Sequence, residues 1–230
     1  MFGRTARPDA THPETGLVDL VTLLATRMTA NPRLKVIICV PRFPDFPVEQ
    51  ENWFRAALKQ RKEAIDLLVA ADTNRVAAFH PIGFPGRSTV GRGTVVLVDD
   101  AYALVGTSHW RRRGMTFDGG CDLVGIDRRL NDAGSSTAIA RFRQELLATR
   151  LGVPVPTGAA NTTALWTRLA EPESAFDVVR DLLQNGGLGR CQPVWAGPTD
   201  TAVIPETDDK TDPNGVLGVG LLSTLLGLVP

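Results

Sequence analysis

The chain has 230 residues, and its 25 lysines and arginines equal its 25 aspartates and glutamates in number. This length suits one domain, or one domain with an appendage, and the zero net charge excludes a general attraction to nucleic acid or membranes. The three cysteines are widely spaced and odd in number, which argues against a disulfide framework or a zinc site and predicts a reducing compartment. A cytoplasmic location is the default expectation.

The first two thirds of the chain alternate between helical and strand-like patterns. Residues 1–16 are polar and contain prolines, which predicts a leader without structure of its own. Apolar residues at helical spacing predict helices over 17–30, 48–71 and 135–151. Short apolar and β-branched runs predict strands over 34–40, 75–80, 94–98, 102–107 and 121–126.

This alternation predicts the fold class of residues 17–151, an α/β domain layered αβα around a mixed central sheet. The residues expected on central strands are Val36, Val76, Val96, Leu104 and Val124. No run approaches the roughly 20 apolar residues that span a bilayer, and the N-terminus lacks the apolar stretch of a secretory signal. We therefore expect no membrane span.

The composition changes at residues 152–158, which read Gly-Val-Pro-Val-Pro-Thr-Gly. Two short helical patterns follow, over 162–169 and 173–184. They predict that residues 152–207 form a helical and loop-rich extension that packs on the first domain, rather than a second independent domain.

The last segment, 208–230, combines a polar linker with an apolar end. Residues 208–214 are polar, whereas 215–230 carry no charge and are rich in leucine and glycine. Such a segment folds poorly alone and would be a sticky patch if exposed. We expect it to dock on a neighbouring subunit; the alternative is that it closes the core of its own chain.

Residues 92–107 carry the most informative pattern of the chain. An apolar run leads into Asp99, and six residues separate this aspartate from Gly106-Thr107. The pattern resembles the signature of the phospholipase D superfamily: His, any residue, Lys, four residues, Asp, six residues, and Gly-Ser or Gly-Thr. Arg92 stands at the His position of this signature, and Thr94 stands at the Lys position.

The resemblance continues beyond the motif and covers roughly residues 17–150. His109 takes the place of a family Asn, Arg113-Gly114 that of an Arg-Ser pair, and Asp122 that of an acidic residue opening the next strand. A phospholipase D lobe has a similar order of elements: helix, strand, long helix, strand, motif hairpin, strand and closing helix. The resemblance therefore implies a phospholipase D-like lobe.

The family's chemistry implies which steps this chain has lost. In the family, two motif copies meet; one His forms a covalent phosphohistidine and the other protonates the leaving oxygen. The Lys residues hold the phosphoryl oxygens, and each Asp orients its imidazole. Arg92 has no free lone pair to act as a nucleophile, and Thr94 is too short to replace a Lys. No catalytic residue is therefore assigned, and His109 is the best candidate for residual acid–base work.

The motif also predicts a phosphate- or anion-binding site, because its two strands are adjacent and end at the same edge. The residues expected to line this site are Arg92, Thr94, Thr107, Ser108, His109 and Arg113. The plainer alternatives are that Asp99 and Asp100 form only a hairpin turn, that His109 packs in a loop, and that residues 111–113 are a solvated arginine cluster. No Walker loop or His-Glu-x-x-His is present, so neither a cofactor nor a metal is predicted.

These observations favour a degenerate, non-catalytic phospholipase D-like protein. It would act by pairing with another lobe or subunit, as a homo- or hetero-oligomer, through the motif face and the 215–230 tail. The first alternative is an active phosphodiesterase, a nuclease or a phospholipase D-type enzyme, with an atypical site or a partner that carries an intact motif. The second alternative is a structural subunit of a multiprotein particle.

Overall fold

The structure is a computed structural model, and its described part covers most of the first 194 residues. The described residues are 19–44, 51–83, 87, 89, 91–111, 114, 119–127, 129–132, 134–186 and 189–194. The leader, residues 1–16, and the segment 208–230 lie outside the described residues. The structure therefore does not test the expectations for these two segments.

Five α-helices lie within the described residues: α1 (Leu20–Ala30), α2 (Glu51–Ala71), α3 (Thr137–Leu151), α4 (Ala164–Arg168) and α5 (Pro172–Gln184). Side-chain oxygens of Asp19, Ser136 and Thr163 accept hydrogen bonds from backbone N–H groups in the first turns of α1, α3 and α4. These caps satisfy N–H groups that have no partner inside the helix. They explain why these three helices begin two or three residues after their predicted starts at residues 17, 135 and 162.

Within the described part of the chain, six strands form two separate sheets. The strands are β1 (Val36–Cys39), β2 (Val76–Pro81), β3 (Thr94–Val98), β4 (Tyr102–Gly106), β5 (Asp122–Ile126) and β6 (Cys191–Pro193). The first sheet has the order β1-β2-β6, with β1 parallel and β6 antiparallel to β2. The second sheet has the order β3-β4-β5 and is antiparallel throughout.

Helices cover both faces of the first sheet. On one face α1 and α2 pack on β1, and the buried residues of this core are Val21, Met28, Ile38, Val40, Ala64, Ile65 and Leu68. On the other face α3, α4 and α5 pack on β2, where Phe79 and Phe176 are fully buried. Because successive strand residues point to opposite faces, Ala77 and Phe79 belong to the second core, whereas Val76 and Ala78 pack against the first. The α/β class predicted from sequence is therefore confirmed.

The prediction of one central sheet is wrong for the described residues. Val36 and Val76 lie in the first sheet, but Val96, Leu104 and Val124 lie opposite one another in the second. Apolar runs predict strands but not their partners. Here β3 pairs with β4 across a short turn, the most local partner that it has. The strand β6 falls in a stretch where the sequence predicts loops.

Candidate functional site

Several motif residues meet at one end of the second sheet, which we call the motif end. Thr94, Gly106 and Asp122 lie opposite one another there, on β3, β4 and β5. The Thr94 Oγ1 atom is 3.4 Å from Nδ1 of His109, and the Ser108 N–H donates to Oδ1 of Asp122 at 3.1 Å. The structure thus brings Thr94, Ser108 and His109 together beside the carboxylate of Asp122.

The Asp122 carboxylate changes what the motif end can bind. Hydrogen bonds from the side chain and the backbone of Ser108 are the main causes that lower the pKa of Asp122, and the charge of His109 adds to them. Thr107 is also tied to this strand, because its Oγ1 accepts the Cys121 N–H at 3.0 Å. An ionised carboxylate repels an anion at close range, so Asp122 opposes the anion site predicted around His109.

The glycine at position 106 of the motif is required for steric reasons. A Cβ atom at this position would overlap Oδ1 of Asp122 and would come within 2.6 Å of the Asp122 Cα. Only a glycine lets β5 approach β4 this closely while Asp122 bonds to Ser108. The glycine of the Gly-Thr pair therefore has a role in the packing of β5 against β4.

The two aspartates of the motif occupy the opposite end of the hairpin. Both have positive φ, 51° at Asp99 and 53° at Asp100, a conformation that Asp tolerates better than most residues. Asp99 is exposed. It follows Thr94 by five strand positions, or about 17 Å along the strand. The role implied for Asp99, orienting an imidazole at the His position, therefore does not fit this geometry.

Asp100 has a structural partner instead. Its side chain is 2% exposed, and Arg143 of α3 binds it through Nε at 2.6 Å and Nη2 at 2.9 Å. The backbone O of Asp100 also accepts the N–H of Ser136, the N-cap of α3, at 2.7 Å. The turn predicted at Asp99-Asp100 is confirmed, and the Asp100 carboxylate binds a buried guanidinium.

The predicted basic residues lie in different surroundings. Arg92 is exposed and precedes Thr94 by two positions, whereas Arg111 is only 7% exposed. Arg113 lies outside the described residues. Gly91 approaches the end of β1, since a Cβ placed on it would lie 3.8 Å from Cγ of Pro41. The segment that leads into the motif therefore adjoins the carboxyl ends of the parallel strands.

A second polar cluster lies at those strand ends. Arg61 of α2 is 3% exposed, and its Nη1 donates to the backbone O of Pro41 at 2.7 Å and of Arg42 at 3.3 Å. His80, near the end of β2, is 4% exposed, and its Nδ1 lies 3.1 Å from the backbone O of Val40. Burial lowers the pKa of His80, and the charges of Arg61 and Arg42 lower it further.

The sequence carries a signal for Arg61 that lies outside the motif. Ala57, Arg61, Ala64 and Leu68 recur at helical spacing on α2, and all four are buried. A charged residue inside an apolar helical stripe is unusual, because charged side chains are rarely buried without a partner. Arg61 therefore stands out as a site candidate once the α2 pattern is recognised.

The described residues thus define an α/β protein with two polar clusters, one at the motif end and one at the strand ends. Within this part of the chain, no group of three or more His, Cys, Asp or Glu side chains could hold a metal ion. Nor does any helix there have the length and apolar character needed to cross a membrane. This chain matches no model of a known protein family. It also matches no curated protein and no solved structure.

Proposed function

We propose that this chain is a non-catalytic, phospholipase D-like protein that acts by pairing with a second copy of itself through the second sheet. The observation that carries the proposal is the exposure of the apolar side chains on the edge strand β5 of this sheet. The motif substitutions and the position of Asp99 support the absence of catalysis.

The second sheet is apolar but contributes to neither core of the described residues. Its three most exposed apolar side chains all lie on β5: Leu123 at 76%, Ile126 at 69% and Val124 at 50%. Val95 and Val105, which lie opposite Leu123 in a row across one face, are also exposed. Soluble monomers rarely expose large contiguous apolar patches, and such patches mark interaction sites.

The edge strand β5 favours a second copy as the occupant. An edge strand presents unpaired backbone N–H and C=O groups that another strand can pair with. Two β5 strands can pair antiparallel about a two-fold axis, in which case both copies use the same surface. With the axis at Val124, Leu123 faces the partner's Gly125 and Asp122 faces the partner's Ile126. The two Asp122 carboxylates then lie at opposite ends, and no like charges face each other.

The molar mass of the full chain in solution tests the pairing. We expect a dimer at micromolar concentration, and we expect Val124→Asp to weaken it more than tenfold, because two carboxylates would then face each other across the axis. The matched control is Val98→Asp on β3, whose side chain has nearly the same exposure, 47% against 50%. A monomeric wild-type chain, or an equal loss in both variants, would contradict the proposal.

A second candidate function, an atypical phosphodiesterase, is favoured by the approach of Thr94 Oγ1 to His109 Nδ1 at 3.4 Å. The non-catalytic proposal expects no turnover of a bis-aryl phosphodiester, DNA or phosphatidylcholine by the purified chain. Turnover that His109→Ala abolishes would establish the enzyme instead. Asp181→Asn on the exposed surface of α5 serves as the control variant.

A further inference from the structure

Two buried arginines of this chain both donate a hydrogen bond from Nη1 to a backbone oxygen, but the hydrogen bonding of their Nε and Nη2 atoms differs. Arg143 donates from Nη1 to the backbone O of Leu169 at 2.8 Å, and its Nε and Nη2 grip the two carboxylate oxygens of Asp100. Arg61 donates from Nη1 to backbone oxygens at the end of β1. Its Nε and Nη2, which we call the Arg61 fork, are buried and have no hydrogen-bond partner.

An unpaired fork in this position is costly. Each buried N–H that lacks a partner loses its hydration without replacement, and the loss is greater for a charged group. Burial lowers the pKa of Arg61 to about 10. The same fork on Arg143 is occupied by a carboxylate, which shows what this chemistry accepts in this protein.

Among the described residues, Arg42 and His80 accompany Arg61 in this cluster, and neither side chain is acidic. Arg42 follows β1 and its charge reaches His80, while burial favours the neutral imidazole of His80. The cluster lies at the carboxyl ends of the parallel strands β1 and β2, the edge at which open α/β sheets bind ligands. It differs from the motif end, because no Asp122 carboxylate takes part in it.

We propose that the Arg61 fork binds an oxyanion, a phosphate or carboxylate group of a small-molecule ligand, at the carboxyl ends of β1 and β2. The planar guanidinium offers two parallel N–H groups that match two oxygens of such a group. Enclosure strengthens this interaction, because a charge pair attracts more strongly in a medium of low dielectric constant. The proposal is independent of pairing through the second sheet.

The wild-type full chain provides the first test. At constant ionic strength, we expect inorganic phosphate or acetate to raise the melting temperature by roughly 5 °C or more near saturation, relative to chloride. In ¹⁵N NMR spectra, the Nε–H signal of Arg61 should shift with the same anion while that of Arg143 stays in place. The stronger of the two anions identifies the ligand group as a phosphate or a carboxylate.

The competing occupants are an ordered water or a carboxylate of the chain itself, such as Asp45 or Glu49, both outside the described residues. With either of these, neither anion shifts the melting temperature or the Arg61 signal, and the proposal is overturned.

The variant Arg61→Lys provides the second test, because it keeps the charge and removes the fork. We expect its affinity for the preferred anion to fall at least tenfold, whereas Arg27→Lys, an exposed control on α1, should leave the affinity unchanged. Equal affinities of wild type and Arg61→Lys would overturn the proposal. If Arg61→Lys does not fold, the wild-type NMR titration decides the question alone.

Discussion

Replacing Asp100 with asparagine removes the negative charge from an enclosed ion pair while keeping the shape of the side chain. Asn also tolerates the positive φ that Asp100 adopts, so the turn itself should survive. What changes is the partner: the guanidinium of Arg143, 11% exposed, loses two charge-assisted hydrogen bonds to a carboxylate that is 2% exposed.

The expected loss of stability in Asp100→Asn follows from the burial of this ion pair. Breaking a buried pair by removing one partner leaves an uncompensated charge and costs about 3–5 kcal/mol. In a chain of this size, about 1 kcal/mol corresponds to roughly 2–4 °C in melting temperature. We therefore expect Asp100→Asn to lower the melting temperature by about 6–20 °C.

Urea unfolding followed by circular dichroism measures the loss as a change in the free energy of unfolding. The matched control is Asp181→Asn, which removes the charge from the Arg168–Asp181 pair, whose side chains are 45% and 46% exposed. Exposed pairs contribute about 1 kcal/mol or less. A loss for Asp100→Asn no larger than that of the control would refute the account of a buried, stabilising pair.

Two further predictions concern the two polar clusters. Gly106→Ala should destabilise the chain by about 1–3 kcal/mol, because the added Cβ overlaps Asp122. Urea unfolding measures this loss, and Gly119→Ala is the control variant, because a Cβ at Gly119 meets nothing within 4 Å. Burial lowers the pKa of folded His80 below its ordinary value of 6.5, so the unfolded chain binds a proton first as the pH falls. The stability that neutral His80 contributes should be complete above pH 6.5 and decline below it. The measurement is the melting temperature from pH 8 to pH 5 for the wild type and for His80→Gln. Identical profiles for the two proteins would contradict this prediction.

The elements of the fold were largely predictable because each has a local cause. Short apolar and β-branched runs predict β1 to β5, and apolar residues at helical spacing predict α1 and α3. The division into two sheets was not predictable, because periodicity identifies strands and faces but not partners. The exposure of β5 was missed for the same reason, since an apolar run looks alike whether its own chain or another covers it.

The site was predictable only in part. The motif spacing placed Thr94, Ser108 and His109 together, but it did not predict that Asp122 would lie among them, since that depends on the register of β4 and β5. Nor did the motif predict that Asp100, rather than Asp99, would have the buried partner, because Arg143 lies 43 residues away in the chain.

The attachment of the second sheet is compatible with both proposals. One end is held to α3 by polar contacts: Arg143 binds Asp100, and the Ser136 hydroxyl donates to Asp127 at 2.6 Å, just after β5. At the motif end, Gly91 adjoins Pro41 near the carboxyl end of β1. These attachments lie at the two ends of the strands, and all five residues of β5 between them are exposed. Pairing along β5 can therefore form without breaking the Asp100–Arg143 pair, and an anion at Arg61 can bind without displacing the partner copy.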